Sequence, residues 1–523
     1  MENNTVTITL EKDGEKQLIA LQEKESILEA IKRSGTYINA VCGGKGSCGK
    51  CKIQILEGSL DVTASDRKHF SQEELAAGYR LACRAFPRED LTISMEQEDE
   101  SSFSIQIDHK EEEPEELHNV EEDAYDIAVD IGTTTIAMQL LGKKSKKTLA
   151  SYATLNRQRA FGADVISRIQ ASNNGKGQEL RKSIQEDLLK GFQALAKEVG
   201  IQPEQVERIA IGGNTTMGHL LMGFSCEGLG VYPFSPVDIG FIRRPFAEVM
   251  DSDYMQAEMI ILPGISTYVG GDIVSGMYQC DFMTSDKTCL LVDLGTNGEM
   301  GIGNRERIIV TSTAAGPAFE GGNISWGMGS VQGAICAVEI TEDKVELATI
   351  GDKPPVGLCG TGVIATIAEL IDKEYVDETG RLEEEYFKEG YPLAKTEDGR
   401  EITFSQQDVR EIQLAKSTVR AGIEVLLRRF GVSYDQVDKV YLAGGFGYHI
   451  DQEKAITIGL LPSEFRGKID AIGNSSLGGA VKFLTNEQSC DDMEKILDLS
   501  TEIDLSTDAD FNDLYMEHMF FEE

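Results

Sequence analysis

Basic residues are scarce in this chain. Across 523 residues there are 50 Lys and Arg against 88 Asp and Glu, a formal net charge of −38. That balance excludes a phosphate-tracking surface, so neither nucleic acid nor an anionic membrane is expected as a partner. The acid surplus reads equally as solubility, with salt or heat adaptation, or as a charged docking face. Long apolar runs are also missing: nothing approaches the ~20 residues that span a bilayer. The opening Met1-Glu-Asn-Asn-Thr-Val-Thr-Ile-Thr-Leu10 lacks the basic and apolar regions of a secretory signal, and a cytoplasmic chain is expected. With six histidines and no His-Glu-x-x-His or Ser-His-Asp pattern, neither zinc-protease nor triad chemistry is indicated. His219 and His449 both sit beside glycine motifs and read as packing or capping residues.

What the chain does have is four cysteines near its start. Cys42, Cys48 and Cys51 lie in Ala40-Val-Cys-Gly-Gly-Lys-Gly-Ser-Cys-Gly-Lys-Cys51, and Cys83 follows after 31 residues. Four thiolates at this spacing form a ligand set for a 2Fe-2S cluster, a one-electron carrier. Gly43, Gly44, Gly46 and Gly49 permit positive φ and turn backbone N–H groups toward the cluster. Zinc prefers paired Cys-x-x-Cys knuckles, and only Cys48/Cys51 makes one. Disulfides are the other alternative. The remaining six cysteines are scattered and suit buried thiols.

Around the quartet, residues 1–95 read as a small sheet domain. Val6, Ile8 and Leu10 alternate, Asp13-Gly14 turns, and Leu18-Ile-Ala20 returns. Ser26 caps a helix through Arg33, Lys52–Leu56 is a strand, Ser71-Gln-Glu-Glu74 is a capping box, and Leu91–Met95 closes the unit. A strand over Tyr79–Arg84 carries Cys83. This order suggests a β-grasp ferredoxin, and the five-residue first gap resembles the adrenodoxin and putidaredoxin group.

Residues 96–124 hold thirteen Asp or Glu and one Lys, and read as a solvated linker in which Phe103–Ile107 is a candidate edge strand. From Tyr125 the pattern becomes strand, glycine turn, strand, helix. Residues 125–205 are assigned to a middle domain, the start of a first ribonuclease-H-like half, and 206–523 to a C-terminal ATP-binding domain. Ala163–Val199 reads as mostly helical with a break at Asn173–Gly177. The tail from Asn486 is expected to be helical or frayed.

Asp130-Ile-Gly132-Thr133-Thr134-Thr135 stands between two strands, and Asp293-Leu-Gly295-Thr296-Asn297-Gly298 repeats it 163 residues on. In each, glycine and hydroxyl residues offer N–H and O–H donors to phosphate, and the Asp can hold Mg2+ through water. Two such hairpins facing each other would grip ATP from both sides. Gly444-Gly445-Phe446-Gly447, behind the strand Val440–Ala443, would bring backbone close to the adenosine. The set of three matches the actin, sugar kinase and acetate kinase superfamily, two α/β ribonuclease-H-like halves hinged about ATP. Asp272, in Val269-Gly-Gly-Asp272, reads as a helix N-cap or an outer magnesium residue, the cap being preferred. Ala314–Asn323 reads equally as a nucleotide contact or a domain turn. The water-orienting residue is not apparent; Asp293 and Glu299 are candidates.

With these motifs, Gly162-Ala-Asp-Val-Ile-Ser-Arg168, Gly213-Asn-Thr-Thr-Met217 and Ala315-Gly-Pro-Ala-Phe-Glu-Gly321, the chain resembles the reductive activators of corrinoid proteins along nearly its whole length. The resemblance implies a multidomain protein: a ferredoxin domain, a linker, a middle domain and an actin-like ATPase domain through which it forms a homodimer. It implies that a reduced ferredoxin-like donor feeds the cluster. It also implies a partner, the corrinoid protein of a methyltransferase system, whose inactive cob(II)amide is returned to cob(I)amide at the expense of ATP. For one electron, ~59 mV of uphill gap is about 1.4 kcal/mol, so a few hundred millivolts asks for roughly 5 kcal/mol or more from the nucleotide. Three other readings stand beside it: an electron donor to a 2-hydroxyacyl-CoA dehydratase, a redox-sensing ATP-binding scaffold without turnover, and a small-molecule kinase with an appended sensor.

Overall fold

Alternation at Ile8 and Leu10 puts both on the buried face of the first strand, where they begin the core of the N-terminal domain. A computed structural model of the chain describes residues 6–12, 15–22, 24–34, 36, 38, 44, 46, 49–95, 122–162, 164–341, 344–444 and 450–521. The first domain has β1 (Thr7–Lys12), β2 (Glu15–Ala20), α1 (Ile27–Arg33), β3 (Lys52–Glu57), α2 (Ala64–His69), α3 (Gln72–Ala76), β4 (Tyr79–Leu81) and β5 (Leu91–Met95). Its sheet runs β2-β1-β5-β3-β4, with β1 and β5 parallel and the other pairs antiparallel. Ser26 and Ser71 head their helices with capping boxes closed by Glu29 and Glu74. The expected strand through Arg84 stops at Leu81: Ala82–Arg84 is a 3-10 turn, and it carries Cys83. Phe103–Ile107 lies outside the described residues.

Two larger sheets follow. The first takes β6 (Tyr125–Ile131), β7 (Thr135–Gly142), β8 (Thr148–Leu155), β9 (Val206–Gly213), β10 (Ile242–Pro245) and β11 (Glu258–Ile261) in the order β10-β11-β9-β6-β7-β8. Its helices are α4 (Val165–Ala171), α5 (Gly177–Val199), α6 (Thr215–Met222), α7 (Phe246–Met250) and α8 (Gly271–Gln279). The expected break is a π-turn over Ser172–Lys176, where Gly175 takes φ +89°. Because β9 pairs in parallel with β6 along its length, a domain boundary at 205/206 would cut one sheet in two. The assignment of 125–205 alone to the middle domain is therefore corrected: β9 to α8 belong with β6 to β8.

The second sheet takes β12 (Cys289–Leu294), β13 (Gly298–Gly303) and β14 (Ile308–Thr313). An insertion follows, with β15 (Ala334–Ile340), β16 (Val345–Thr349), β17 (Gly357–Leu358), α9 (Gly360–Asp372), β18 (Tyr391–Lys395) and β19 (Glu401–Phe404). After α10 (Gln406–Phe430) come β20 (Lys439–Ala443), α11 (Gln452–Thr457), β21 (Ile469–Gly473), α12 (Ser475–Thr485), α13 (Ser489–Leu499), β22 (Ser500–Glu502) and α14 (Phe511–Glu517). The second sheet runs β21-β20-β12-β13-β14-β22, and its first five strands repeat β11-β9-β6-β7-β8 with the same parallel and antiparallel pairs. These are two ribonuclease-H-like halves. The acidic tail is ordered here: β22 extends the sheet beside β14, and Phe521, 3% exposed, donates its N–H to Glu378 O at 2.9 Å.

The two halves meet where α8 crosses α12. Each follows the equivalent strand of its own half, β11 or β21. At Gly479 a Cβ would lie 2.1 Å from the carbonyl oxygen of Ser275, and at Gly276 it would lie 2.7 Å from Ser475 Oγ. The helices thus touch backbone to backbone. Gly479→Val must push them apart, and overpacking of this kind costs about 1–3 kcal/mol. At about 2–4 °C per kcal/mol in domains of this size, thermal melting is expected to fall by about 5 °C. Gly478→Ala is the control. The three atoms nearest its Cβ all belong to the flexible end of the Gln279 side chain, so its melting temperature is expected to stay near that of the parent chain.

Candidate functional site

At the front of the first domain, Cys51 and Cys83 are brought side by side by the β3–β4 ladder. Lys52 is opposite Leu81, and Ala82 N donates to Cys51 O at 2.8 Å. Both cysteines are buried, 1% and 5% exposed, and neither is in a disulfide. A Cβ on Gly44 would lie 3.8 Å from Cys83 Cβ, so Gly44 sits against Cys83. Gly44, Gly46 and Gly49 take φ of +87°, +76° and +72°, as a loop that turns N–H groups inward requires. Cys42 and Cys48 lie outside the described residues. The placed half of the quartet fits a 2Fe-2S cluster: two enclosed cysteines beside a glycine-rich turn.

The second site lies between the two larger sheets. At the end of β6, Gly132 N donates to Thr135 O at 2.9 Å and closes a tight hairpin. Three side chains brace it from below. Asn156 Nδ2 donates to Gly132 O at 2.9 Å, Arg168 donates to Thr133 O and to Gly162 O, and Asn214 Nδ2 donates to Thr133 Oγ1 at 3.1 Å. Arg168 is fully buried, and burial pushes its pKa down to about 9. Its role is to hold the Thr133 carbonyl and tie the hairpin to Gly162.

The second hairpin closes one residue sooner, Gly295 N donating to Asn297 O at 3.0 Å. In the parallel ladders Asp130 stands beside Gly212 and Asp293 beside Ala443, so the two aspartates end equivalent strands. Gly444 follows β20 with φ +94°. A Cβ there would lie 2.3 Å from Leu294 O and 2.9 Å from Asp293 Oδ1, so the glycine turn presses on the second hairpin. Gly445 and Gly447 lie outside the described residues, as does His449. His219 is a packing residue as expected: it is buried in α6, and its Nε2 accepts from Val237 N at 2.9 Å.

Five carboxylates converge here: Asp130, Asp272, Asp293, Glu299 and Glu320. Burial, followed by the charge of Asp130, raises Asp272 to about 7. Burial, followed by Asp272 and Asp130, raises Asp293 to about 7. Glu299, opposite Asp293 in the β12–β13 ladder and 8% exposed, is pushed well up by burial and by Asp272 and Asp293. Asp130 is also raised by burial, against hydrogen bonds from α12; Asn474 Nδ2 donates to its Oδ2 at 2.8 Å. Ser475 Oγ donates to Asp293 Oδ2 at 3.4 Å. Such an excess of enclosed negative charge fits a cation. Among the described residues no three acids form a ready-made cage. The donor set therefore suits Mg2+, which dehydrates reluctantly and takes most of its ligands from phosphate and water.

The preferred reading of Asp272 as an N-cap is corrected. Gly270 occupies the cap, and Asp272 lies in the first turn of α8 among the other acids. Ala314–Asn323 proves to be a cleft element: Glu320 Oε1 accepts from Thr296 Oγ1 at 3.2 Å and its Oε2 from Thr134 Oγ1 at 3.4 Å. Sequence reasoning missed Asn156, Asn474 and Ser475. A signal existed for Asn474: Gly473-Asn-Ser-Ser repeats the Gly213-Asn-Thr-Thr pattern, and both asparagines cap helices.

Comparison with known proteins agrees with this layout. Residues 10–88 match the 2Fe-2S iron-sulfur cluster binding domain, 125–285 the RACo middle region, and 287–523 the C-terminal domain of RACo, the ASKHA domain. The corrinoid activation enzyme RamQ of Eubacterium limosum is 28% identical over 95% of this chain and 96% of its own length. The Co(II) methylated amine-specific corrinoid protein reductase of Methanosarcina barkeri is 27% identical over 75% of this chain and 76% of its own. A solved reductive activator for corrinoid, iron-sulfur protein superposes with a TM-score of 0.69 at 29% identity, covering 99% of this chain and 98% of that one. With a 2Fe-2S domain, a RACo middle region and a RACo ASKHA domain in unbroken order, the chain belongs to the family of reductive activators of corrinoid proteins.

Proposed function

We propose that this protein restores a corrinoid protein of a methyltransferase system by ATP-dependent, one-electron reduction of cob(II)amide to cob(I)amide. The observation that carries the reading is the pairing, in one polypeptide, of the enclosed Cys51/Cys83 thiols with a two-halved cleft whose phosphate-type hairpins share one carboxylate. The names of the full-length relatives support the corrinoid partner.

Cys42, Cys48, Cys51 and Cys83 hold the cluster, which supplies one electron at a time. Thr133, Thr134, Thr135 and Thr296 donate to the phosphates of ATP, and Gly132, Gly295 and Asn297 form the tight hairpins that present them. Asp130 and Asp293, with Asp272 between them, neutralise Mg2+. Gly444, Gly445 and Gly447 face the adenosine. Closing the halves on ATP selects one docked arrangement with the partner. The ATPase halves provide the homodimer surface, and a reduced ferredoxin-like protein of the cytoplasm is the donor.

The test is anaerobic purification, iron and sulfide reconstitution, and incubation with a cob(II) corrinoid protein and a low-potential reductant. The cob(I) absorption band is expected to grow only with ATP and Mg2+ present. A colourless protein after reconstitution, or equal growth of the band without nucleotide, overturns the reading.

A further inference from the structure

We infer that Glu320 is the carboxylate that positions the attacking water for ATP hydrolysis. The inference rests on the ATPase reading above and supplies the residue that reading lacks. The acids of the cleft fall into two sets. Beyond burial, the charge of Asp130 raises Asp272, those of Asp272 and Asp130 raise Asp293, and Glu299 stands opposite Asp293 in the β12–β13 ladder, so these four form the set suited to a cation. Asp130 and Asp293 are further engaged by Asn474 and Ser475 at the start of α12.

Glu320 also acts on Asp293 through its charge, and its hydrogen bonds set it apart. Its partners are the hydroxyls of Thr134 and Thr296, one from each hairpin, at 3.4 and 3.2 Å. Arg159 is the cation that acts on it. A carboxylate that accepts from both hydroxyls fills the space the terminal phosphate takes when the same hydroxyls donate to it. Once they turn to phosphate, both Glu320 oxygens are released beside that group.

The turn that carries Glu320 is held firmly, as a positioning role demands. Phe319, 1% exposed, anchors it in the core, and Gly316 N donates to Thr296 O at 3.0 Å. Gly321 closes it with φ +78° at a point where a Cβ would lie 2.6 Å from Met328 O.

In the step itself, a water hydrogen-bonded to Glu320 forms the new bond from its oxygen to the γ-phosphorus. The bond between that phosphorus and the bridging oxygen breaks, and its electron pair leaves on ADP. The water's proton passes to Glu320 and then to the released phosphate.

The test uses the full chain with its cluster reconstituted. Glu320→Gln, nearly isosteric, is expected to slow single-turnover ATP hydrolysis by about 100-fold or more, the usual contribution of a positioned acid–base group. ATP affinity by equilibrium dialysis is expected to stay within about threefold, the split between turnover and binding that separates a role in the step from a role in folding. Glu320→Asp, which keeps the carboxylate, is expected to recover part of the rate. Hydrolysis by Glu320→Gln near the parent rate overturns the inference alone, as does a parallel loss of rate, affinity and melting temperature in Glu320→Gln and Glu320→Asp alike. A parent chain that binds ATP and never hydrolyses it overturns the ATPase reading together with this inference.

Discussion

Asp130→Asn is expected to leave the visible spectrum of the cluster unchanged and to remove ATP-dependent corrinoid reduction. The substitution keeps the shape of the side chain and deletes its charge. Asp130 lies at the end of β6 and accepts a hydrogen bond from Asn474 at 2.8 Å, a contact that joins residues 344 positions apart and from opposite halves. An amide there can still bond Asn474 through its oxygen, so the local fold is retained. What is lost is one of the charges that offset the cation accompanying the triphosphate. Preorganised electrostatic groups of this kind contribute about 100- to 1000-fold to rate. The cob(I) band and phosphate release, followed side by side, should both fall by about that much. Reduction at the full parent rate in this variant contradicts the assignment of the cleft to nucleotide.

Cys83→Ser is expected to do the reverse. A hydroxyl does not ionise as a thiol does and is a poor ligand for cluster iron. Cys83 lies in the 3-10 turn after β4, and its surroundings, Cys51, Gly44 and α1, all belong to the first domain. Iron and sulfide content after reconstitution, and the paramagnetic resonance signal of the reduced protein, should drop sharply. ATP affinity should match that of the parent chain. If serine at 83 retains a full complement of iron and sulfide, the ligand assignment is wrong at that position.

Much of the architecture was legible because its signals are local. The capping boxes at Ser26/Glu29 and Ser71/Glu74 mark two helix starts three residues at a time, and the Asp-x-Gly hairpins announce themselves between apolar strands. The ladder confirms the internal repeat inferred from Asp130 and Asp293. Illegible features depend on contacts made far along the chain. Glu320 meets Thr134 across 186 residues, and nothing in Ala314–Asn323 distinguishes a cleft element from a turn until both halves are folded. β22 has no strand signature of its own; Ser500–Glu502 is extended because the edge of β14 offers it hydrogen bonds. The middle-domain boundary was misplaced because β9 follows a 23-residue helix and so looks like a new beginning, whereas its parallel partner is β6.

The contact of α8 with α12 has a mechanical consequence. Two helices that meet at Ser275 and Gly479 with no side chains between them have little room to slide, but their surfaces can roll on one another. Such a point behaves as a fulcrum, and the groups nearest to it, Asp272 at the start of one helix and Ser475 at the start of the other, travel least when the halves rotate. Displacement then grows with distance from the crossing, so a fraction of an ångström at the phosphates becomes a much larger excursion at the outer sheet edges. A protein that senses whether the cleft is full has most to feel at those rims.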